Sequence, residues 1–529
     1  MFAYLIKNGR LIDGTGCAAY SADIGIADGK IVQIGAPAGA SVAVTIDAAG
    51  KYVTPGFIDI HRHADAAAFR PGFGELELAQ GLTTIVNGNC GLSIAPSSAQ
   101  YRAPLADYLS PVLGAMPPAV DVSSMQAYLA ALKQRLLPLN VAMLAGSGTL
   151  RACVAGFDTV ELSREQLRQI QDELTRALSS GVLGVSLGLG YAPDCFYDTD
   201  TLIEALAPLR DSGLPITVHM RQEGSGVVDA LREMIAVAQA LRTPVQISHL
   251  KSIGKANWRK TTPQMLQLMQ RARQEGIDIG CDVYPYTAGS TQLVHVLPPE
   301  CQQGGMEALT QNLSDASFRA QLKERMLHDT DFENISLLAG FENILVSSIC
   351  VDTLRQYEGK SIAQIAQTQG KDAFTCLFDL LEQAHCDVTM IDFIADEEDI
   401  CDILRDTHSC VISDSTYPTT GLLHPRVYGT YSTLLEHFVR ERGVLSIEQA
   451  VHKCTQRPAQ VMHLQTKGVL AEGMDADVNI FDLNRIHTCA SYADSAHCSE
   501  GMDTVFVAGE PVILNGRFTH KTPGQVLTR

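Results

Sequence analysis

The chain has 529 residues, of which 46% are hydrophobic and 19% charged. These values exclude a disordered, collagen-like or coiled-coil chain, and the length allows a large buried core. The formal net charge of −19, from 40 Lys+Arg against 59 Asp+Glu, argues against nucleic acid or an anionic membrane as the main partner.

The opening residues, Met1 to Arg10, lack a basic stretch followed by a long apolar run, so no secretory signal is expected. They read as a first strand entering a turn at Asn8-Gly9. Further short strands are expected at Ala22–Ile26, Lys30–Ile34 and Val42–Ile46, separated by glycine-bearing turns. The last 60 or so residues repeat the pattern, with strands at Asp477–Phe481 and Val505–Gly509 and a turn at Asn515-Gly516. A small β-domain built from both chain ends, residues 1–53 plus 466–529, is the economical reading.

Between them, residues 54–465 alternate apolar strands with helix-compatible stretches. Strand ends fall near His63, Asn87, Gly146, Leu187, His219, His249, Tyr284 and Asp414. Ser163 to Ser180 and Pro263 to Glu275 read as helices, with Ser163 placed to cap the first. Eight strands alternating with helices predict an α/β fold of the (β/α)8 TIM-type barrel class. The stretch from Tyr284 to Asp414 is too long for one connection. It must hold an insertion, at about 290–345, and an extra strand near Met390–Ile394. No apolar run reaches the roughly 18 residues of a membrane span. The 14 cysteines stand singly with no Cys-x-x-Cys pair. A reducing cytoplasm fits them best, most as small core residues.

The chemistry-bearing residues cluster at the strand ends, where a barrel of this type builds its active site. His61 and His63 are two apart, so an extended backbone turns both imidazoles to one side. His219 follows the apolar run Pro215–Val218, and His249 follows Pro244–Ser248. Four histidines delivered to one rim suit a zinc-like metal. Asp414, after Cys410–Ser413, is a carboxylate that must ligate, accept a proton, cap a helix or be paired. Cys90, in Asn87-Gly88-Asn89-Cys90-Gly91, sits between glycines that allow close backbone approach and could ligate as a thiolate. The other cysteines read as core.

Across nearly its whole length the sequence resembles the N-acyl-D-amino-acid deacylases, or D-aminoacylases, of the amidohydrolase superfamily. The resemblance is carried by Pro55-Gly56-Phe57-Ile58-Asp59-x-His61-x-His63, Gly88-Asn89-Cys90-Gly91, Gly148-Thr149-Leu150-Arg151, His219-Met220-Arg221, Ile247-Ser248-His249-Leu250-Lys251, Asp282-x-Tyr284-Pro285-Tyr286, Ser413-Asp414 and His424-Pro425-Arg426. It implies a barrel plus a β-sandwich from both termini. It implies one tight Zn2+ on Cys90, His219 and His249, and a second, weaker metal position on His61, His63 and Asp414. It makes Asp414 the general base and acid, Tyr284 a candidate oxyanion donor, and Lys251, Ser290 and Arg426 the holders of a substrate carboxylate. The implied reaction splits an N-acyl-D-amino acid into a D-amino acid and a carboxylate. The fourth strand, Val182–Gly188, contains no lysine, unlike amidohydrolases that bridge two metals with a carboxylated lysine.

The sequence departs from the family pattern at Arg62, which puts a cation beside the metal pair, at Ser147, in the loop Tyr191–Phe196 and at Ser415. These changes keep a cyclic amide, a dipeptide-like compound or another N-acyl amine open as substrate. An inactive scaffold on the same fold is a further alternative, disfavoured because every ligand candidate is present.

Overall fold

Near-continuous apolar runs of three to six residues become strands buried on both faces, as parallel sheets require. The computed structural model describes residues 1–35, 41–418 and 420–529. Parallel strands β1 (Phe57–Asp59), β2 (Leu82–Asn87), β3 (Asn140–Met143) and β4 (Val185–Gly188) are followed by β5 (Ile216–His219), β6 (Val245–Ile247), β7 (Ile279–Val283) and β8 (Ser409–Val411). Consecutive strands pair in parallel, with Ala145-Gly146 carrying the β3 chain onto β4. The ring closes just past the ends of β1 and β8. There Asp414 N donates to His61 O at 2.9 Å and His63 N donates to Ser415 O at 3.0 Å. The closing hydrogen bonds are thus made by the backbone of the candidate site residues themselves.

Amphipathic helices cover the barrel. In Arg164–Ser179 the residues Leu167, Ile170, Leu174, Ala177 and Leu178 are buried, the three-to-four spacing of one helical face. Ser163 caps this helix in a reciprocal capping box with Gln166. The expected helix at Pro263–Glu275 runs over Thr261–Gln274.

The stretch expected as an insertion and the extra strand expected near residue 390 meet in one antiparallel sheet. Val388–Phe393 lies at its centre, between Ala288–Gln292 and Ile344–Ile349. This sheet supplies one wall of the cavity described below.

The chain ends form two further sheets. A four-stranded sheet holds the strands Phe2–Lys7, Ile24–Ala27, Lys30–Ile34 and Val42–Asp47. A seven-stranded sheet joins N-terminal and C-terminal strands where Tyr52–Pro55 pairs antiparallel with Val478–Phe481. Ile6, Ile24 and Ile26 of the first sheet and Val53, Ile480 and Phe506 of the second share one apolar cluster, which makes the pair a β-sandwich.

All 14 cysteines are free. Cys17, Cys350 and Cys498 are exposed, which corrects the expectation that the thiols other than Cys90 fill the core. Among the described residues no helix is long and apolar enough to cross a membrane.

Candidate metal centre

Strand geometry brings the ligand candidates together. Past β1 the extended chain turns His61 and His63 inward, with ring centroids 5.4 Å apart. The same alternation sends Arg62 the other way. Its fully buried guanidinium lies 2.8 Å from Glu77 and 3.2 Å from Asp59, and its Nε donates to the Tyr417 hydroxyl at 3.1 Å. Arg62 therefore puts no cation beside the metal pair, which corrects that expectation. It closes a buried ion network behind the strand.

Three ligand candidates hold a left-handed backbone although none is glycine: Cys90 at φ 53°, His249 at φ 36° and Asp414 at φ 53°. Such conformations cost on the order of 1–3 kcal/mol each and gather at functional sites. Gly88, also at positive φ, precedes the cysteine because a Cβ there would lie 2.3 Å from Leu144 O.

Ligand atoms of His61, Cys90, His249 and Asp414 all lie within 4.8 Å of one another. His219 Nδ1 is 3.1 Å from His249 Nε2, and Cys90 Sγ is 3.5 Å from that same nitrogen and 3.2 Å from His61 Nε2. Asp414 Oδ1 lies 3.2 Å from His63 Nε2 and 3.4 Å from His61 Nε2. Zinc bonds of about 2.0–2.1 Å to imidazole and about 2.3 Å to thiolate place tetrahedral ligand atoms about 3.3–3.6 Å apart. The cluster has nearly that spacing, in a buried setting where a bound cation would satisfy the converging lone pairs. Burial pushes the Cys90 thiol up, but the neighbouring His61 and hydrogen bonds from three imidazoles bring it well below the usual thiol range. These surroundings favour the thiolate, the form that ligates. Against its burial, Arg426, His61 and His63 hold the Asp414 carboxyl well below the usual carboxylate range.

Glu223 completes the cluster and was not singled out in the sequence. It follows His219 by four residues in the loop after β5. His249 Nδ1 lies 2.9 Å from its Oε1 and 2.7 Å from Lys251 Nζ, which holds the ring so that Nε2 faces Cys90 and His219. Lys251 Nζ donates to both oxygens, at 2.9 and 2.8 Å. Burial opposes ionisation of Glu223, but Lys251, His219 and His249 lower its carboxyl overall. Asp282, at the end of β7, accepts from His249 N at 2.5 Å and fixes the backbone of the same residue.

The residues expected to hold substrate divide into two groups. Lys251, Tyr284 and Ser290 line a cavity of about 60 Å³ beside His219, His249 and Asp414. Arg426 stands behind its wall, 2.9 Å from Asp414 Oδ2, with its Nη2 donating to Ser290 O at 2.8 Å. Its fork is directed at the aspartate and the insertion sheet. Burial pushes the Tyr284 hydroxyl up to about 12, so it stays protonated and able to donate. Tyr191, from the divergent loop, packs against both His219 and His295 at centroid distances of 4.2 Å.

The profile described as "Amidohydrolase family" matches residues 44–513. A D-aminoacylase of Alcaligenes xylosoxydans xylosoxydans is 31% identical over 100% of this chain and 98% of its own. The chain belongs to the amidohydrolase family, in its D-aminoacylase branch. An N-acyl-D-glutamate deacylase of the same organism is 30% identical over 99% of this chain and 96% of its own. The crystal structure of N-acyl-D-glutamate deacylase from Bordetella bronchiseptica, complexed with zinc and a phosphonate mimic of the tetrahedral intermediate, superposes with a TM-score of 0.85. It has 29% identity, and both chains are covered completely.

Proposed function

We propose that this amidohydrolase hydrolyses the amide bond of N-acyl-D-amino acids, releasing a carboxylate and a D-amino acid. The observation that carries the reading is the convergence of Cys90, His219 and His249 beside Asp414 at one cavity. The D preference rests on the relatives named above. Cys90, His219 and His249 would hold a zinc ion, and His61, His63 and Asp414 would form a second metal position. When bound, zinc supplies the Lewis acidity that lets a base as weak as Asp414 accept a proton from water.

Asp414 takes that proton as the water oxygen adds to the acyl carbon. It returns the proton to the amide nitrogen as the C–N bond breaks. The Tyr284 hydroxyl donates to the oxygen on which charge develops. Lys251 and the Ser290 hydroxyl receive the substrate α-carboxylate. Glu223 keeps the Lys251 ammonium in place, and Arg426 keeps the Asp414 carboxylate ionised and aimed at the water.

The test is turnover of N-acetyl-D- and N-acetyl-L- forms of methionine, glutamate and arginine by zinc-loaded protein. Turnover confined to D forms is expected. Equal rates on both enantiomers, or turnover of none, would contradict the proposal.

Glu223→Gln keeps the shape but removes the charge that orients His249. Loss of such an outer partner weakens metal affinity by about 10–100-fold. Competition with a chelating dye is expected to show that loss, and unchanged affinity would remove Glu223 from the metal centre.

A further inference from the structure

The cavity has an unbalanced sign. Each cation at or behind its wall is already matched: Lys251 to Glu223 at 2.8 Å, and Arg221 to Glu233 and Arg426 to Asp414 at 2.9 Å each. Two carboxylates on the same wall have no cation within ion-pair distance among the described residues. Asp392 lies on the central strand of the insertion sheet, 3% exposed, and its carboxylate meets no side-chain partner. Glu333 takes the backbone N–H groups of Glu223 and Gly224 on Oε2, at 2.5 and 3.2 Å, while its buried Oε1 has no partner.

Two neutral groups nearby are also unsatisfied. His295 is 8% exposed, and neither ring nitrogen has a partner. Burial and the nearby His219 hold its imidazole down to about 3, so it is neutral, with one donor and one acceptor free. His295 and Glu333 also wall an adjoining chamber of about 200 Å³. There Gln302 is fully buried with both amide atoms unpartnered. The chamber's Arg325 is outnumbered by Glu300 and Asp331, which both pair with it.

Leaving buried carboxylates without a cation is costly, and burial accordingly pushes the Asp392 carboxyl up to about 6 and the Glu333 carboxyl up to about 7. A ligand that brings the missing positive charge removes that cost. An apolar group would leave both acids unmatched, and an acidic group would be repelled by them. The geometry points to a recognition site for a cationic group of the substrate, an ammonium or guanidinium. Asp392 and Glu333 hold the charge, with His295 and Gln302 as neutral hydrogen-bonding partners. This inference rests on the deacylase reading of the reaction centre. The cation sits either on the amino-acid side chain or on the acyl group.

The test compares kcat/KM on five substrates. N-acetyl-D-arginine and N-acetyl-D-lysine carry the cation on the side chain, and glycyl-D-methionine carries it on the acyl group. N-acetyl-D-methionine is neutral and N-acetyl-D-glutamate acidic. One cationic class is expected to exceed the neutral substrate by about tenfold or more, and which class does so locates the cation. Asp392→Asn and Glu333→Gln are each expected to lower that cationic-to-neutral ratio by about tenfold. The ratio is insensitive to a general loss of activity or folding. A neutral or acidic substrate ranked first, or a ratio unmoved by both substitutions, would overturn the inference. Turnover of none of the five would reject the deacylase reading alone. Calorimetric titration of N-acetyl-D-arginine into zinc-loaded wild type and both variants then decides the site. Binding about tenfold weaker in the variants supports it, whereas equal or undetectable binding in all three overturns it.

Discussion

Replacing Asp414 by asparagine is expected to lower kcat by about 10³–10⁴-fold, the upper range for loss of a positioned acid–base group. That factor corresponds to roughly 4–5 kcal/mol in the barrier. Asparagine keeps the size and the backbone bond to His61 O but cannot take a proton from water. The carboxylate is suited to the role by its surroundings: Arg426 at 2.9 Å and the imidazoles of His61 and His63 keep it ionised despite burial. Steady-state kinetics with parallel zinc analysis check the expectation. The tight zinc should remain, because Cys90, His219 and His249 are untouched. A variant that keeps its metal and works within tenfold of wild type would remove Asp414 from the proton path.

The second large effect is expected at Cys90→Ser. Cys90 is the proposed soft ligand, and its sulfur lies 3.2 Å from His61 and 3.5 Å from His249. A serine hydroxyl at the same place stays protonated at neutral pH and is a poor zinc ligand. Zinc affinity should fall by more than the about 100-fold that marks the upper range for an outer partner. Activity should fall with it and return only in part at saturating zinc. Purified Cys90→Ser that retains wild-type zinc through dialysis against chelator would show that the sulfur is not needed.

Much of the barrel was legible because its signal is local. A short apolar run ending in a polar residue reads as a buried strand reaching a rim, which placed His219, His249 and Asp414 without any knowledge of contacts. The two-residue period placed His61 beside His63. Followed one step further, that period sends Arg62 to the opposite face. The sequence alone suggests a cation at the site instead, because the Arg62 partners Glu77 and Tyr417 are distant in sequence and only the folded chain brings them to it.

The surrounding charges were less legible for the same reason. Glu223 acts through His249 and Lys251, which arrive on the next strand. Glu333 and His295 belong to the insertion and Asp392 to the extra strand, where no strand-end rule applies. The guanidinium of Arg426 suggests a fork for the substrate, whereas its direction toward Asp414 depends on the fold.

Zinc is expected to sit on one thiolate and two imidazoles. Zinc-edge X-ray absorption of the purified, singly loaded enzyme tests it most directly. One sulfur scatterer at about 2.3 Å with nitrogen or oxygen scatterers at about 2.0–2.1 Å is expected, and the sulfur shell should vanish in Cys90→Ser. A first shell of nitrogen and oxygen alone in the wild-type enzyme would rule out that centre.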